Sequence, residues 1–371
     1  MYFKSPFFVY AITWSVVLIL YQLNISVLYP KLESKFLIFI IISIFLNLFI
    51  GVIFIKKIEE SYRTKNVSKF NSCKLIILLF LMYGIDFIYA KDIPLISSLL
   101  KNDYSYRDFR GIPLFHGFLY SLSFYLSIKS WYLYVKYSDK KYLKVYLVSL
   151  LFPILSYSRG FVLLSFISAL LIYLLENSKY IKKFIILSII SLYLFGIAGN
   201  IRHHYKAFDT TMIKKFLKIE KKESILDPFY WGYIYITSPL ANLELNIEKN
   251  FYQKNFQKFI LINFLPDFIS EKLIFESIPT KRIIHNLTAS TVYIEAYNTF
   301  GILGMYLLML VYSIFNIIYI ILLGKTKNFQ IGLVLLLIIQ IFSIFSNMYT
   351  LPAVGISLFY VYIPKLRFRV K

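Results

Sequence analysis

The chain alternates long apolar runs with short polar and basic connections, a pattern typical of polytopic membrane proteins. A helix that crosses a bilayer needs ~20 predominantly apolar residues, and ten runs approach this length. The predicted spans are 7–29, 36–55, 75–90, 113–134, 145–158, 161–176, 184–199, 298–323, 329–347 and 351–363. The fifth and tenth are short, so they are expected to be tilted, partly re-entrant or shielded by neighbours. The pattern predicts an all-α polytopic membrane protein with about 10 transmembrane helices (10–12) in a single integral membrane domain, residues 1–371.

Composition excludes most soluble classes. Apolar residues make up 58% of the chain and charged residues only 16%, against ~25% in a typical soluble domain. A water-soluble fold could not hide this much apolar surface, which argues against a cytosolic enzyme, a secreted disulfide scaffold or a disordered chain. The single cysteine, Cys73, cannot form an internal disulfide.

The formal net charge of +22 would ordinarily suggest nucleic acid as a partner. Membrane proteins, however, concentrate Lys and Arg in cytoplasmic loops, and this interpretation fits better. With the N-terminus inside, the inner segments hold 20 Lys and Arg, whereas the short outer segments 30–35 and 91–112 hold 6. The expected arrangement is multi-pass with both termini cytoplasmic, the lipid bilayer as partner and no nucleic acid.

One connection is far longer than the others. Segment 200–297 lies outside in this topology, and loops of this length are usually functional or disordered. Its aromatic and apolar content argues against disorder, so we expect a large external loop containing short helices. Residues 212–223 are predicted to form a charged helix, and residues 252–262 an amphipathic helix that could lie on the membrane surface.

Ionisable groups near the membrane are the candidates for chemistry, because burying them is costly. Arg159 lies in the Ser156–Gly160 turn between two apolar runs, and Arg202 directly follows another run. A guanidinium group offers a planar fork that matches phosphate. The alternative for both arginines is an interfacial anchor that contacts no substrate.

A second group of candidates precedes the long apolar run that starts near residue 298. Lys281, Arg282 and His285 would share one face if that segment were helical, and His285 could then act as a general base. The alternative is a solvated basic patch on an exposed loop. Glu295 could likewise be a base, or could pair with a lysine from the loop.

Several other polar groups lie in or beside predicted spans. Asp86 is expected to pair with Lys91 or a nearby arginine, with a structural role at least as favoured as catalysis. His116 lies near the outer face and is a further candidate, whereas Lys129 is expected to reach the inner interface. The outer loop around Tyr106, Asp108 and Arg110 mixes aromatic, acidic and basic groups and could line a sugar site.

The order of several short motifs resembles the bacterial oligosaccharide repeat-unit polymerases of O-antigen and capsule synthesis (Wzy-type), which are distantly similar to O-antigen ligases. The motifs are Ile93-Pro94-Leu95, Asp108-Phe109-Arg110-Gly111-Ile112-Pro113, Ser158-Arg159-Gly160, Gly199-x-x-Arg202, Ser238-Pro239 and Phe300-Gly301-x-x-Gly304. They extend from about Lys91 to Pro352, and the large outer loop precedes the last of them.

The resemblance implies a GT-C-like, metal-independent glycosyltransferase without a cofactor, in the bacterial cytoplasmic membrane. It would join undecaprenyl-diphosphate-linked oligosaccharide repeat units into O-antigen or capsular polysaccharide, with a polysaccharide chain-length regulator as a candidate partner. Arg159, Arg202 and Arg282 would bind the diphosphate, and Tyr106, Asp108 and Arg110 the sugar. His285, Glu295 and Arg282 would be catalytic, although His285 lies farther from Gly301 than the ligase pattern leads one to expect.

Two other functions fit parts of the pattern. An O-antigen ligase would share the membrane topology and the outer-face chemistry. A flippase for lipid-linked oligosaccharides usually has more spans and duplicated halves, and it needs charges deep inside several spans. Here the charged candidates collect at one face, which favours chemistry at that face over transport.

Overall fold

The computed structural model describes residues 2–100, 109–177, 227–274, 278–285 and 287–363, together with scattered positions between 182 and 218. Every α-helix of eight or more residues in these ranges is part of, or packs on, one helical bundle. The helices are α1 (Pro6–Gln22), α2 (Ser34–Thr64), α3 (Ser72–Ala90), α4 (Pro94–Leu100), α5 (Phe115–Tyr137), α6 (Lys140–Leu155), α7 (Arg159–Glu176), α8 (Phe229–Glu248), α9 (Phe256–Phe264), α10 (Asp267–Leu273), α11 (Ile294–Leu323), α12 (Phe329–Phe342), α13 (Pro352–Gly355) and α14 (Ser357–Tyr360).

Three of these helices are long and apolar enough to cross a membrane: α2, α3 and α11. Their outward faces carry large apolar side chains such as Phe45 and Phe49 of α2, each 66% exposed. Exposed apolar surface of this kind is suited to lipid, since water would penalise it. Together with the shorter apolar helices α1, α7 and α12, this arrangement defines a helical membrane protein.

Helix α12 occupies the centre of the bundle. Of its 14 residues all but Ile341 are buried, and it packs against α1, α2, α5, α7 and α11. Just beyond its end, the indole Nε1 of Trp14 donates to the hydroxyl of Ser343 at 3.0 Å. At its start, the amide of Gln330 donates to the carbonyls of Tyr62 and Lys65 at 2.8 and 2.6 Å. Side-chain hydrogen bonds thus connect both ends of the helix to neighbouring segments.

The predicted outer segment contains a long buried helix that the sequence pattern did not predict. Helix α8 has 20 residues, most of them buried, and it packs against α1 and α11. The predicted amphipathic helix 252–262 is present as α9, shifted to Phe256–Phe264, and it packs on α11. The predicted charged helix 212–223 lies almost entirely outside the described residues.

Several predicted spans have different bounds in the structure. The span predicted at 7–29 ends as a helix at Gln22, and the one at 36–55 extends to Thr64. Residues 351–363 hold two four-residue helices with Ile356 between them. Thirteen residues would rise only ~20 Å as a helix, which is less than the bilayer core. The span at 184–199 lies mostly outside the described residues.

Helix α11 is broken near its start by the Phe-Gly-x-x-Gly motif. Gly301 has φ +64° and Phe300 is also non-helical. A Cβ on Gly304 would lie 2.4 Å from the carbonyl oxygen of Ala296, so the chain passes very close to itself here. Glycine is favoured at residue 301 because of the positive φ, and it is required at residue 304 because a side chain would collide with the backbone. The break separates a short arm carrying Glu295 from the long apolar part of the helix.

The two ends of the bundle differ in character. The end at which α10 lies, which we call the cavity end, also holds the turn between α6 and α7. At the opposite end, the Tyr62 hydroxyl donates to Glu176, and Lys4 lies over the Tyr62 ring. Lys129 is buried there, with its Nζ donating to the Ser68 hydroxyl at 3.2 Å. The prediction that Lys129 reaches out to the interface was therefore wrong, because a polar partner lies inside the bundle.

Candidate functional site

A cavity of about 550 Å³ opens at the cavity end. Its walls come from α9, α10, Ile274, the residues 278–280, the first turn of α11 and the residues after α12. The lining residues are Ile262, Asp267, Ser270, Glu271, Ile274, Ile278, Thr280, Glu295, Ser346, Asn347 and Thr350. Eight of these eleven side chains carry a polar group, and the three that are charged are all acidic.

Two of the three acidic residues that line the cavity lie in the first turn of a helix. Glu295 lies in the first turn of α11, and Asp267 is the first residue of α10. The Asp267 amide donates to the Thr350 carbonyl at 3.1 Å, which ties α10 to the segment after α12. Burial raises the pKa of Asp267 above its usual value; a hydrogen bond from Thr350 opposes this shift, and nearby Glu271 adds to it.

A buried amide network supports the cavity wall at Asn347. Its Nδ2 donates to the carbonyl of Asn263 at 3.2 Å and to the hydroxyl of Tyr312 at 2.8 Å. Its Oδ1 accepts from the backbone amide of Tyr349 at 3.2 Å. With its side-chain amide engaged on both sides, Asn347 has a fixed orientation at the cavity wall.

The loop of residues 278–290 borders the cavity and is fastened to α8 by two fully buried asparagines. Asn242 donates through Nδ2 to the carbonyls of Leu287 and Ala289, both at 2.8 Å, and accepts from the amide of Ile283 at 2.9 Å. Asn246 exchanges hydrogen bonds with the backbone of Lys281 at 2.8 and 3.1 Å. These contacts give an irregular segment the fixed backbone that a binding site requires.

This geometry corrects one prediction. Residues 279–285 are not helical, so Lys281, Arg282 and His285 do not share a helix face. All three are exposed, and Lys281 lies over the Phe251 ring, with its Nζ 4.7 Å from the centroid. Of the three residues predicted to be catalytic, Glu295 lines the cavity, whereas Arg282 and His285 lie on the loop beside it.

Asp86 pairs with His116, in contrast to the predicted pairing with Lys91 or an arginine. The Asp86 Oδ2 lies 2.6 Å from His116 Nδ1, and its Oδ1 accepts from the backbone amide of Ile112 at 2.8 Å. Both residues are at the cavity end, at the end of α3 and the start of α5. The sequence gave no signal for this pairing, because His116 lies thirty residues after Asp86 in the chain.

The remaining predicted residues are placed only in part. Arg159 is the first residue of α7, directly after a sharp turn in which Tyr157 has φ +58°. Arg110 is exposed at the cavity end of the bundle. The Arg159 side chain and all of Arg202, Tyr106 and Asp108 lie outside the described residues.

Sequence reasoning missed much of the cavity wall. Asp267, Glu271, Asn347 and Thr350 gave no motif, since they lie in two segments far apart in the chain. The available signal was polar residues directly after the apolar run that becomes α12. In the described residues, no group of three or more His, Cys, Asp or Glu side chains is arranged to hold a metal ion.

The fold and site together define an integral membrane protein, helical in its described parts, with a polar cavity at one end of the bundle. Comparisons with protein-family models, characterised proteins and solved structures find no match.

Proposed function

We propose that the protein is a GT-C-like membrane glycosyltransferase that polymerises undecaprenyl-diphosphate-linked oligosaccharide repeat units at the outer face of the bacterial cytoplasmic membrane. The observation that carries the proposal is the polar cavity at the end of apolar helices, beside the break at Gly301. A lipid-linked sugar needs this combination, with a polar site for the head and a bilayer for the tail. The motif order given above supports the same class of enzyme.

The cavity suits the saccharide better than the diphosphate. Its volume of about 550 Å³ falls within the ~300–1,000 Å³ common for small-ligand sites. The carboxylate oxygens of Glu295 and Asp267 accept hydrogen bonds from sugar hydroxyls, whereas they repel phosphate. We therefore assign the cavity to the acceptor sugar.

The diphosphate would lie at the arginines. Arg159 begins α7 at the cavity end, and Arg282 is exposed on the fastened loop. Together with Arg202, they would neutralise the charge that develops on the departing diphosphate. Both termini would be cytoplasmic, and a chain-length regulator would be a possible partner.

The deciding experiment is a gel of surface glycan from cells lacking the gene, with and without the gene restored. A lipid core capped by a single repeat unit, in place of a ladder, is the expected result. Full-length chains accumulating on the carrier lipid would indicate a ligase. A repeat unit that never reaches the outer face would indicate a flippase.

The arginine assignment has its own test. Arg159→Lys keeps the charge but loses the planar fork, so it should fail at a bidentate phosphate site and be tolerated at an interfacial anchor. The same comparison applies to Arg202. Long-chain glycan of normal length in both lysine variants, with protein levels unchanged, would rule out diphosphate binding by these side chains.

A further inference from the structure

The Asp86–His116 pair has a geometry that fixes one imidazole nitrogen and leaves the other available. Asp86 is fully buried, and both of its oxygens are engaged, one by the Ile112 amide and one by His116 Nδ1. A carboxylate held this way favours the histidine tautomer with its proton on Nδ1. The lone pair is then on Nε2.

The chain packs closely over the protected side of this pair. A Cβ on Gly111 would lie 2.7 Å from Asp86 Oδ1 and 2.9 Å from His116 Nδ1. Only a residue without a side chain fits there. The loop therefore excludes water from the hydrogen bond between the two residues, which strengthens it.

The other side of the imidazole is open. The His116 side chain is 30% exposed, and no described residue hydrogen-bonds to Nε2. Its ring lies against Phe109 and Tyr120, with centroids 5.3 and 4.5 Å away, which limits its rotation. An oriented, partly exposed imidazole is the arrangement expected of a general base.

The pair lies between the two parts of the proposed site. On one side, the Tyr120 hydroxyl lies near Ser156 and Ser158, which belong to the turn before Arg159. On the other side, a Cβ on Gly117 would lie 3.5 Å from Pro352 and 3.9 Å from Phe268. Those two residues adjoin the cavity-lining segments, at Thr350 and Asp267 respectively.

We propose that His116 is the proton acceptor of the glycosyl transfer and that Asp86 positions it; this inference rests on the proposed function. The acceptor hydroxyl gives its proton to Nε2, and its oxygen bonds to the anomeric carbon of the donor chain. The bond from that carbon to the phosphate oxygen breaks, which releases undecaprenyl diphosphate as an anion. The proton then leaves the imidazolium for water through the exposed side of the ring.

The test uses purified full-length protein in lipid nanodiscs and, as substrate, the lipid-linked repeat unit that cells lacking the gene accumulate. His116→Ala should lower kcat by about 10²-fold or more, since general acid–base catalysis typically contributes 10²–10⁴. KM should change little, and added imidazole should restore part of the rate. Asp86→Asn should lower kcat at similar KM, because the amide stabilises the wrong tautomer.

Ser127→Ala, also buried on α5, is the matched control and should keep the parent rate. A wild-type rate in His116→Ala, or a loss that imidazole does not restore, would overturn the role of His116. If that variant does not fold, His116→Gln is measured instead, and wild-type kcat there would have the same meaning. Failure of the proposed function is recognised separately, because the wild-type protein itself would then make no polymer.

Discussion

The backbone amide of Asn255 donates to the carbonyl oxygen of Thr299 at 2.7 Å, and the amide of Gln253 does the same to Asn298 at 2.9 Å. Both carbonyls belong to the arm of α11 before Gly301, where the break interrupts the helical ladder. The segment before α9 thus replaces the hydrogen bonds that the break removes. The short arm of α11 that carries Glu295 is therefore fastened to the segment before α9.

Gly301→Ala should destabilise the protein and reduce activity. A residue with a side chain is disfavoured at φ +64°, and its Cβ would lie 3.2 Å from the Tyr252 ring. Backbone strain of this kind costs ~1–3 kcal/mol. Thermal unfolding in detergent measures the loss. Gly84→Ala is the control, because a Cβ there meets nothing within 4 Å and should leave the melting temperature unchanged or higher.

Asn242→Ala should release the loop of residues 278–290. Three backbone groups of that loop would lose their partner, and each lost hydrogen bond costs on the order of 1 kcal/mol. Limited trypsin digestion detects the change, since Lys281 and Arg282 are exposed cleavage sites. Cleavage there should be faster than in the parent protein or in Asn66→Ala, an exposed control at the opposite end. Equal cleavage in all three would show that the loop does not depend on α8.

Glu295→Gln should weaken acceptor binding more than turnover. The substitution keeps the size of the side chain but removes the charge that strengthens a hydrogen bond from a sugar hydroxyl, an effect of roughly tenfold in KM. Kinetics with the lipid-linked repeat unit measure it, and Glu60→Gln, exposed at the opposite end, is the control. An unchanged KM would remove Glu295 from the sugar site.

Stability should fall as pH rises through the titration of Glu244. Burial raises the pKa of this carboxyl from 4.5 to about 7, and its Oε2 has no hydrogen-bond partner among the described residues. Between pH 4.5 and about pH 7 the folded protein keeps a proton that the unfolded chain has lost. The free energy of unfolding therefore decreases as the pH rises through this range. Melting curves across this range should flatten in Glu244→Gln. The same slope in the variant would show that another group is responsible.

Labelling should reveal the orientation in the membrane. Cys73 is exposed near the start of α3, at the end predicted to be cytoplasmic. A membrane-impermeant maleimide should not react with it in intact cells. The same reagent should react with Thr288→Cys in a Cys73→Ser background, because that loop position is exposed at the cavity end. The reverse pattern would invert the predicted topology.

The sequence predicted the membrane helices better than it predicted the site. The tight turn before Arg159 and the glycine motif at Gly301 are local features, and the structure contains both. Helix α8 was missed because buried polar residues such as Asn242 and Glu244 lower its hydropathy. Asn242 pairs with backbone groups of the later loop, and Glu244 accepts from the backbone amide of Glu33, so these contacts exist only after folding. The same limit applies to Asp86 with His116, where proximity depends on how α3 and α5 pack.

Because α12 is enclosed by other helices, it should tolerate fewer amino-acid substitutions than the helices that face lipid. Hydropathy measures escape from water, and it does not distinguish lipid from protein as the neighbour. The outward residues of α2 meet a fluid surface that accepts almost any apolar shape, so exchanging Phe45 for Leu should be silent. Helix α12 meets packed side chains on every face, and there even one methylene group added or removed must be accommodated. Two stretches of equal apolarity would therefore accumulate variation at very different rates.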